Sequence, residues 1–258
     1  MAGEIRTEIR EAPGTGRVAH VTIAHEAKLN TLNPDLMRAL AAAITRLSAD
    51  ESLQALVLTG AGPKAFIGGA DITVMAGLPD GEAARGFITL VHGCCRAVRD
   101  CPVPVIARIN GWTLGAGLEL AAACDLRIAA DHAQFGMPEV RVGIPSVVEA
   151  ALLPGLIGWG RTRRLLLLGE TIGAAEAAAW GLVEAVVPAA ALDAKLGEWL
   201  GLLGRAGNRA LRLQKRLIRR WEDLPLSEAI AAGIPAFAAA WDTEEPRRML
   251  GAFASRRR

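Results

Sequence analysis

One acid sits oddly in the stretch GWTLGAGLELAAACDLRIAA, Gly111 to Ala130. Its Gly, Ala, Leu and Cys are the composition of a buried, closely packed helix start, yet Glu119 lies among them. A carboxylate without a partner in apolar surroundings is costly and tends to keep its proton. Either a partner elsewhere neutralises Glu119, or its reluctance to ionise serves proton transfer. Just upstream, Gly115-Ala116-Gly117 runs into the helix. A helix start presents unpaired N–H groups and a positive dipole end, which suit a developing oxyanion. Two more segments could take part. KAFIGGADI, Lys64 to Ile72, reads as a loop of small residues whose backbone can approach a ligand. AQFGMPEVRVGIP, Ala133 to Pro145, carries Glu139 directly after Pro138 in an otherwise apolar segment. Each alone also has a structural explanation: a turn, close packing, an exposed acid.

Other chemistries lack their residues. There is no phosphate-cradling G-x-x-x-x-G-K-[ST], no G-x-S-x-G elbow and no H-E-x-x-H. GTGRVA, Gly14 to Ala19, precedes a strand where a dinucleotide fingerprint must follow one. GAGPKA, Gly60 to Ala65, follows a strand but continues as a loop. Cys94, Cys95, Cys101 and Cys124 show neither C-x-x-C pairing nor zinc spacing with the four histidines, so they read as small core residues.

The elements that must position these segments alternate. VAHVTIA (Val18–Ala24), LQALVLTG (Leu53–Gly60), PVIARING (Pro104–Gly111), DLRIAA (Asp125–Ala130) and GLVEAVV (Gly181–Val187) read as strands. Between them NPDLMRALAAAITRLSAD, GEAARGFITLVHGCCRAVRD and GLELAAA have apolar residues at helical spacing. In the first of these, Asn33 can cap, Pro34 fits the first turn and Asp35 favours its positive end. Strands alternating with helices predict an α/β layered fold. From Leu192 to Arg258 the pattern is helical throughout. In NRALRLQKRLIRRW, Ala210, Leu213, Leu217, Ile218 and Trp221 share one face, with Arg and Lys opposite. The chain thus divides into a core, 1–191, and a helical region, 192–258, packed on that core or on a neighbouring subunit.

With 258 residues, 52% of them hydrophobic, the chain can bury a substantial core. Its 29 basic and 27 acidic residues give no overall mandate for nucleic acid or an anionic membrane. No uncharged stretch suits a membrane span, and MAGEIRTEIRE is not a signal peptide. A reducing cytoplasm fits the cysteines best.

In this order, AFIGGADI, INGWTLGAGLELAAACDLRIA, AQFGMPEVRVGIP and LLLLGETIGAAEAAAWGLVEAVVP resemble enoyl-CoA hydratases of the crotonase superfamily. The resemblance extends from KLNTLN (Lys28–Asn33) to AFAAAWDTEEPRRMLGAF near the C-terminus. It implies a spiral of repeated ββα units, with a C-terminal helical trimerisation region and trimers that often pair into hexamers. It further implies an acyl-CoA substrate and no cofactor beyond that coenzyme A. The backbone N–H groups of Ala70 and Ala116 match the family's oxyanion hole. Glu119 matches the glutamate that activates water, and Glu139 the one that exchanges the proton at Cα. Ala65, Phe66, Ile67 and Gly68 match backbone that receives the adenine, and Asp71 and Ile72 continue that CoA-binding segment. Lys28, Phe237 and Arg256 fall at nucleotide contacts, the last two commonly supplied by a neighbouring subunit.

Two glutamates favour a hydratase over the family's isomerases, which typically work with one carboxylate near the Glu139 position. An isomerase or specialised acyl-CoA lyase stays the alternative, because after Pro145 the family's Gly-rich stretch is replaced by SVVEAALLPGLIGWGRTRRLL. There Glu149 either points away or pairs with Arg161 or Arg163, or joins Ser146 in reshaping the acyl pocket for a short or polar group. Trp112 is either core or pocket wall. Binding of RNA through the basic stretch Arg205–Arg220 is the remote reading, disfavoured because aromatic interleaving is poor.

Overall fold

In the computed structural model, which describes residues 3–12, 14 and 16–255, the β-branched runs become strands of a six-stranded sheet. β1 (Glu4–Ala12) pairs antiparallel with β2 (Gly16–Ala24). β3 (Leu53–Gly60), β5 (Val105–Ile109), β7 (Leu126–Ala130) and β10 (Ala185–Val187) continue the sheet in parallel. A second sheet is made of four strands of three residues each: β4 (Ala65–Ile67), β6 (Trp112–Leu114), β8 (Gln134–Gly136) and β9 (Thr171–Gly173). The first three are parallel, and β9 closes the edge antiparallel to β8.

After α1 (Pro34–Ser48), one unit recurs: a strand of the large sheet, a short strand of the small sheet, then a helix. β3 and β4 lead to α2 (Ile72–Ala76) and α3 (Gly81–Asp100). β5 and β6 lead to α4 (Ala116–Ala123), and β7 and β8 lead to α5 (Leu153–Leu168). This is the ββα spiral of the crotonase fold. The start of α1 is as the sequence predicts: the Asn33 side chain accepts from the Leu36 N–H at 2.9 Å, and Pro34 occupies the first turn. The apolar core lies between the sheets and the helices and holds Phe66, Phe135 and Met37. All four cysteines are buried there and unpaired. Burial pushes the Cys94 and Cys124 thiols up to about 12, which leaves them inert.

The chain ends in helices: α6 (Ala174–Trp180) before β10, then α7 (Leu192–Gly204), α8 (Asn208–Asp223), α9 (Leu226–Ala240) and α10 (Glu245–Ser255). α7 lays Leu192, Leu196 and Leu200 against Val18, Val57, Ile106 and Ile128 of the large sheet, forming a second core. α8 corrects the simple two-faced reading of its sequence. Ile218 and Trp221, on its apolar face, are partly exposed, whereas Lys215 is buried with its Nζ 2.7 Å from Asp125 Oδ2. Arg212 donates to the carbonyls of Asp50, Glu51 and Leu53. Part of the basic stretch therefore fastens α8 to the core instead of facing solvent. Two other expectations change. KAFIGGADI contains β4 and is not all loop, and GLVEAVV becomes a strand only from Ala185. No helix among the described residues is long and apolar enough to cross a membrane.

Candidate active site

The small sheet and α4 are pressed together tightly. A Cβ on Gly117 would run into the carbonyl of Ile67 on β4, so only glycine lets α4 approach that strand. The contact fixes the first turn of α4, and with it Glu119, in the wall of a cavity of about 260 Å³. Gly115, at φ +50°, turns the chain into the helix. A Cβ there would collide with Glu139 Oε1, so the bare glycine leaves room for that carboxylate at the helix start. Glu139 itself opens a short 3₁₀ turn, Glu139–Val142, that follows β8. Both glutamates line the same cavity.

Glu119 is only 4% exposed. Burial raises its pKa to about 8, and the negative charges of Glu139 and Glu149 push in the same direction. The backbone N–H of Ala150 opposes the shift by facing the carboxyl, while also closing a turn onto the Val147 carbonyl at 2.9 Å. Near neutral pH Glu119 therefore holds a proton. Glu139 is half-buried, and its Oε2 accepts a hydrogen bond from Ser146 Oγ at 2.8 Å.

Ala70 and Ala116 both line the cavity. Ala70 forms a parallel bridge with Leu32 that engages the Gly69 carbonyl and the Asp71 N–H, so the Ala70 N–H is left out of the ladder. Ala116 is the first residue of α4, too early for its N–H to have an acceptor within the helix. Gly69, at φ +107°, turns the chain at this point, and a Cβ on it would press on the Leu114 carbonyl at 3.1 Å. Met75 and, from α3, Phe87, Ile88 and Val91 give apolar walls, and Arg141 also lines the cavity. Ile72, Val142, Ile144 and Val147 form an exposed apolar lip.

The remaining expected residues are distributed as follows. Ala65, Phe66 and Ile67 are buried in β4. The Ala65 carbonyl accepts from Asn30 at 2.8 Å and Asn110 at 3.1 Å, so that oxygen is committed internally. Gly68 and Ile72 border the cavity, and a smaller recess of about 240 Å³ beside Lys64 and Ala65 is walled by Glu26, Leu29 and Pro63. Lys28 Nζ lies 2.8 Å from Asp71 Oδ2. This neighbour holds the Asp71 carboxyl below its usual range, and Asp71 also caps α2 through the Thr73 N–H at 2.9 Å. Asp71 thus orients Lys28 and is itself nearly buried.

Phe237, 71% exposed on α9, lines a separate groove of about 510 Å³ between α8, α9 and α10. Arg256 lies outside the described residues. Trp112 does not line the cavity; it is partly exposed on β6, opposite Ala65. Glu149 does not line it either, and its partner is neither Arg161 nor Arg163: the carboxylate is buried and takes a hydrogen bond from His92 Nδ1 at 2.8 Å. The cavity walls on α3 and the partner of Glu149 are what the sequence could not supply. Phe87 and Val91, four residues apart, read only as a core-facing stripe, and His92 gave no signal.

Residues 14–258 match the family model described as Enoyl-CoA hydratase/isomerase. A crotonyl-CoA hydratase of Syntrophomonas wolfei is 35% identical over 94% of this chain and 93% of that protein. A short-chain-enoyl-CoA hydratase of Clostridium acetobutylicum is also 35% identical, over 94% of this chain and 93% of its own length. The crystal structure of an enoyl-CoA hydratase from Bacillus anthracis superposes with a TM-score of 0.91 at 33% identity, covering 97% of this chain and 96% of that one.

Proposed function

The chain belongs to the enoyl-CoA hydratase/isomerase family, and from that premise we propose that it catalyses the reversible syn addition of water to a trans-2-enoyl-CoA, giving the 3-hydroxyacyl-CoA. The observation that carries this reading is the meeting of Glu119 and Glu139 at one apolar cavity beside the start of α4.

The chemistry follows from the protonation of the pair. Water must place hydroxyl on Cβ and a proton on Cα, while negative charge collects on the thioester oxygen. That oxygen is assigned to the N–H groups of Ala70 and Ala116, each worth about 2.7–4 kcal/mol in the transition state if it acts like other oxyanion-hole donors. Running towards the enoyl thioester, Glu139 takes the Cα proton and protonated Glu119 supplies one to the departing hydroxyl. Running towards the hydroxy product, Glu119 takes a proton from water and Glu139 delivers one to Cα. One proton shared across a bound water serves both directions, and the resting state with that proton on Glu119 is poised for water loss.

Coenzyme A enters as part of the substrate, and no further cofactor is invoked. We place the acyl chain between Met75, Phe87 and Val91, because these walls are apolar. Of the polar side chains there, Ser146 is bonded to Glu139, and Arg141 donates to the Leu168 carbonyl at 3.4 Å. The nucleotide is assigned to the side of Lys28 and Ala65–Gly68. Leu226, Ile230, Ile234 and Phe237 are exposed along α9, and we assign them to contacts between copies in a trimer or a dimer of trimers. In that assembly a neighbour would bring Phe237 and Arg256 to the nucleotide. The four unpaired cysteines suit a cytoplasmic location.

The test is direct. Purified protein mixed with crotonyl-CoA should consume the conjugated thioester and form 3-hydroxybutyryl-CoA. The raised proton affinity of Glu119 favours one second reading, in which Glu139 alone moves a proton between Cα and Cγ. Conversion of a 3-enoyl-CoA to its 2-enoyl isomer, with crotonyl-CoA left untouched, would assign the isomerase reaction instead.

A further inference from the structure

Resting on the hydratase reading, we propose that the segment from Ser146 to Ala150 positions both carboxylates: Ser146 holds Glu139 directly, and His92 holds the turn beside Glu119 through Glu149. Ser146 Oγ donates to Glu139 Oε2 at 2.8 Å. Its other oxygen, Oε1, lies against Gly115 at the start of α4, in room that only a glycine provides. The serine hydroxyl thus fixes the orientation in which the carboxylate meets the helix start.

The second half of the device begins with a strained residue. Val148 has φ +39°, in the left-handed region that a β-branched side chain rarely enters. Such a conformation persists only where the surroundings impose it. The next residue supplies the constraint. Glu149 is 7% exposed, and its Oε1 accepts from His92 Nδ1 on α3 at 2.8 Å. A carboxylate only accepts, so this contact puts the imidazole proton on Nδ1. Oε2 of Glu149 is buried and makes no hydrogen bond among the described residues. His92 is therefore the single side-chain mooring of that carboxylate. The following residue is Ala150, in a turn packed against α4, the helix that carries Glu119, and its N–H opposes the raised proton affinity of that carboxyl. The groups that act on Glu119 are Glu139, Glu149 and this N–H; on the α3 side lies Cys95, whose thiol burial holds well above its usual range. An ornamental surface ion pair would leave both partners in solvent, whereas here the acid is withdrawn beneath α3.

Substitutions S146A, S146T, H92A and E149Q in the full chain test the proposal. Two readouts are needed: steady-state hydration of crotonyl-CoA and ¹³C NMR titration of the glutamate carboxyls. S146A should lower kcat roughly tenfold, the size expected for one hydrogen bond to a charged group, with KM little changed. S146T should restore most of that loss. H92A, on an exposed helix position, should lower kcat by a similar factor and move Glu119 to higher pH as the Ala150 N–H drifts away. E149Q keeps an acceptor for His92 but loses the charge, so it should move Glu119 to lower pH. If S146A and H92A keep wild-type kcat, if S146T fails to restore what S146A loses, or if H92A loses kcat with the Glu119 titration unmoved, the proposal is overturned. The titration needs no turnover, so an inert wild type would sink the hydratase reading, and the shift of Glu119 in H92A would still decide whether this segment positions that carboxyl.

Discussion

A carboxyl that titrates near pH 8 alters folding as well as turnover. In the unfolded chain Glu119 has the ordinary value of 4.5; in the fold burial raises it to about 8. Between those limits the native state binds the extra proton, so stability falls as pH rises through the window. The E119Q variant has no proton to lose. It should match wild type near pH 4 and exceed it by up to a few kcal/mol above pH 8, at about 1.4 kcal/mol per pH unit. Urea unfolding at pH 5 and pH 8.5 measures the difference. Turnover should follow the same group: the rate of water loss from 3-hydroxybutyryl-CoA should fall as pH rises through about 8, because Glu119 then lacks the proton that the departing hydroxyl needs. Glu119 was legible in the sequence because an acid among Gly, Ala and Leu contradicts its own surroundings. Glu149 was not, since SVVEAALL gives no hint that His92, on another helix, stands over it.

At the scale of elements, two contacts carry the positioning. Gly117 lets α4 meet β4, and alanine there would gain helix propensity yet strike the Ile67 carbonyl. G117A should therefore destabilise the fold and lower turnover together, with thermal unfolding and hydration assays as the measure. Unchanged behaviour in both would show that α4 has slack. The Lys215–Asp125 pair ties α8 to the end of β5, where Asp125 Oδ2 also accepts from the Val105 N–H at 2.6 Å. K215A leaves that acid without its cation and should cost about 3–5 kcal/mol in chemical denaturation. β2, β3 and α1 were readable, the strands as β-branched runs and the helix because Asn33 and Pro34 mark a start; β1, Glu4–Ala12, was not, since most of its nine residues are charged. The strands of the small sheet were not. Three residues carry no alternation, and their identity comes from pairing with segments far away in sequence, as Ala65 with Trp112.

Over the whole molecule, the helical C-terminal region packs on the core through α7 and α8 and leaves Leu226, Ile230, Ile234 and Phe237 of α9 exposed. Residues four apart on one helix form a stripe, and a stripe of large apolar side chains is a surface for association. I234E should shift the sedimenting species towards the monomer and weaken acyl-CoA binding if a neighbour completes the nucleotide site. An unchanged oligomer would place the interface elsewhere. The central claim, however, is that Glu119 and Glu139 share the work of one proton across one cavity. Hydration of crotonyl-CoA by wild type, E119Q and E139Q tests it most directly. The account predicts turnover by wild type and a loss of roughly 10²–10⁴-fold in each variant, since either amide removes one end of the proton transfer. Wild-type rates in either variant would contradict it.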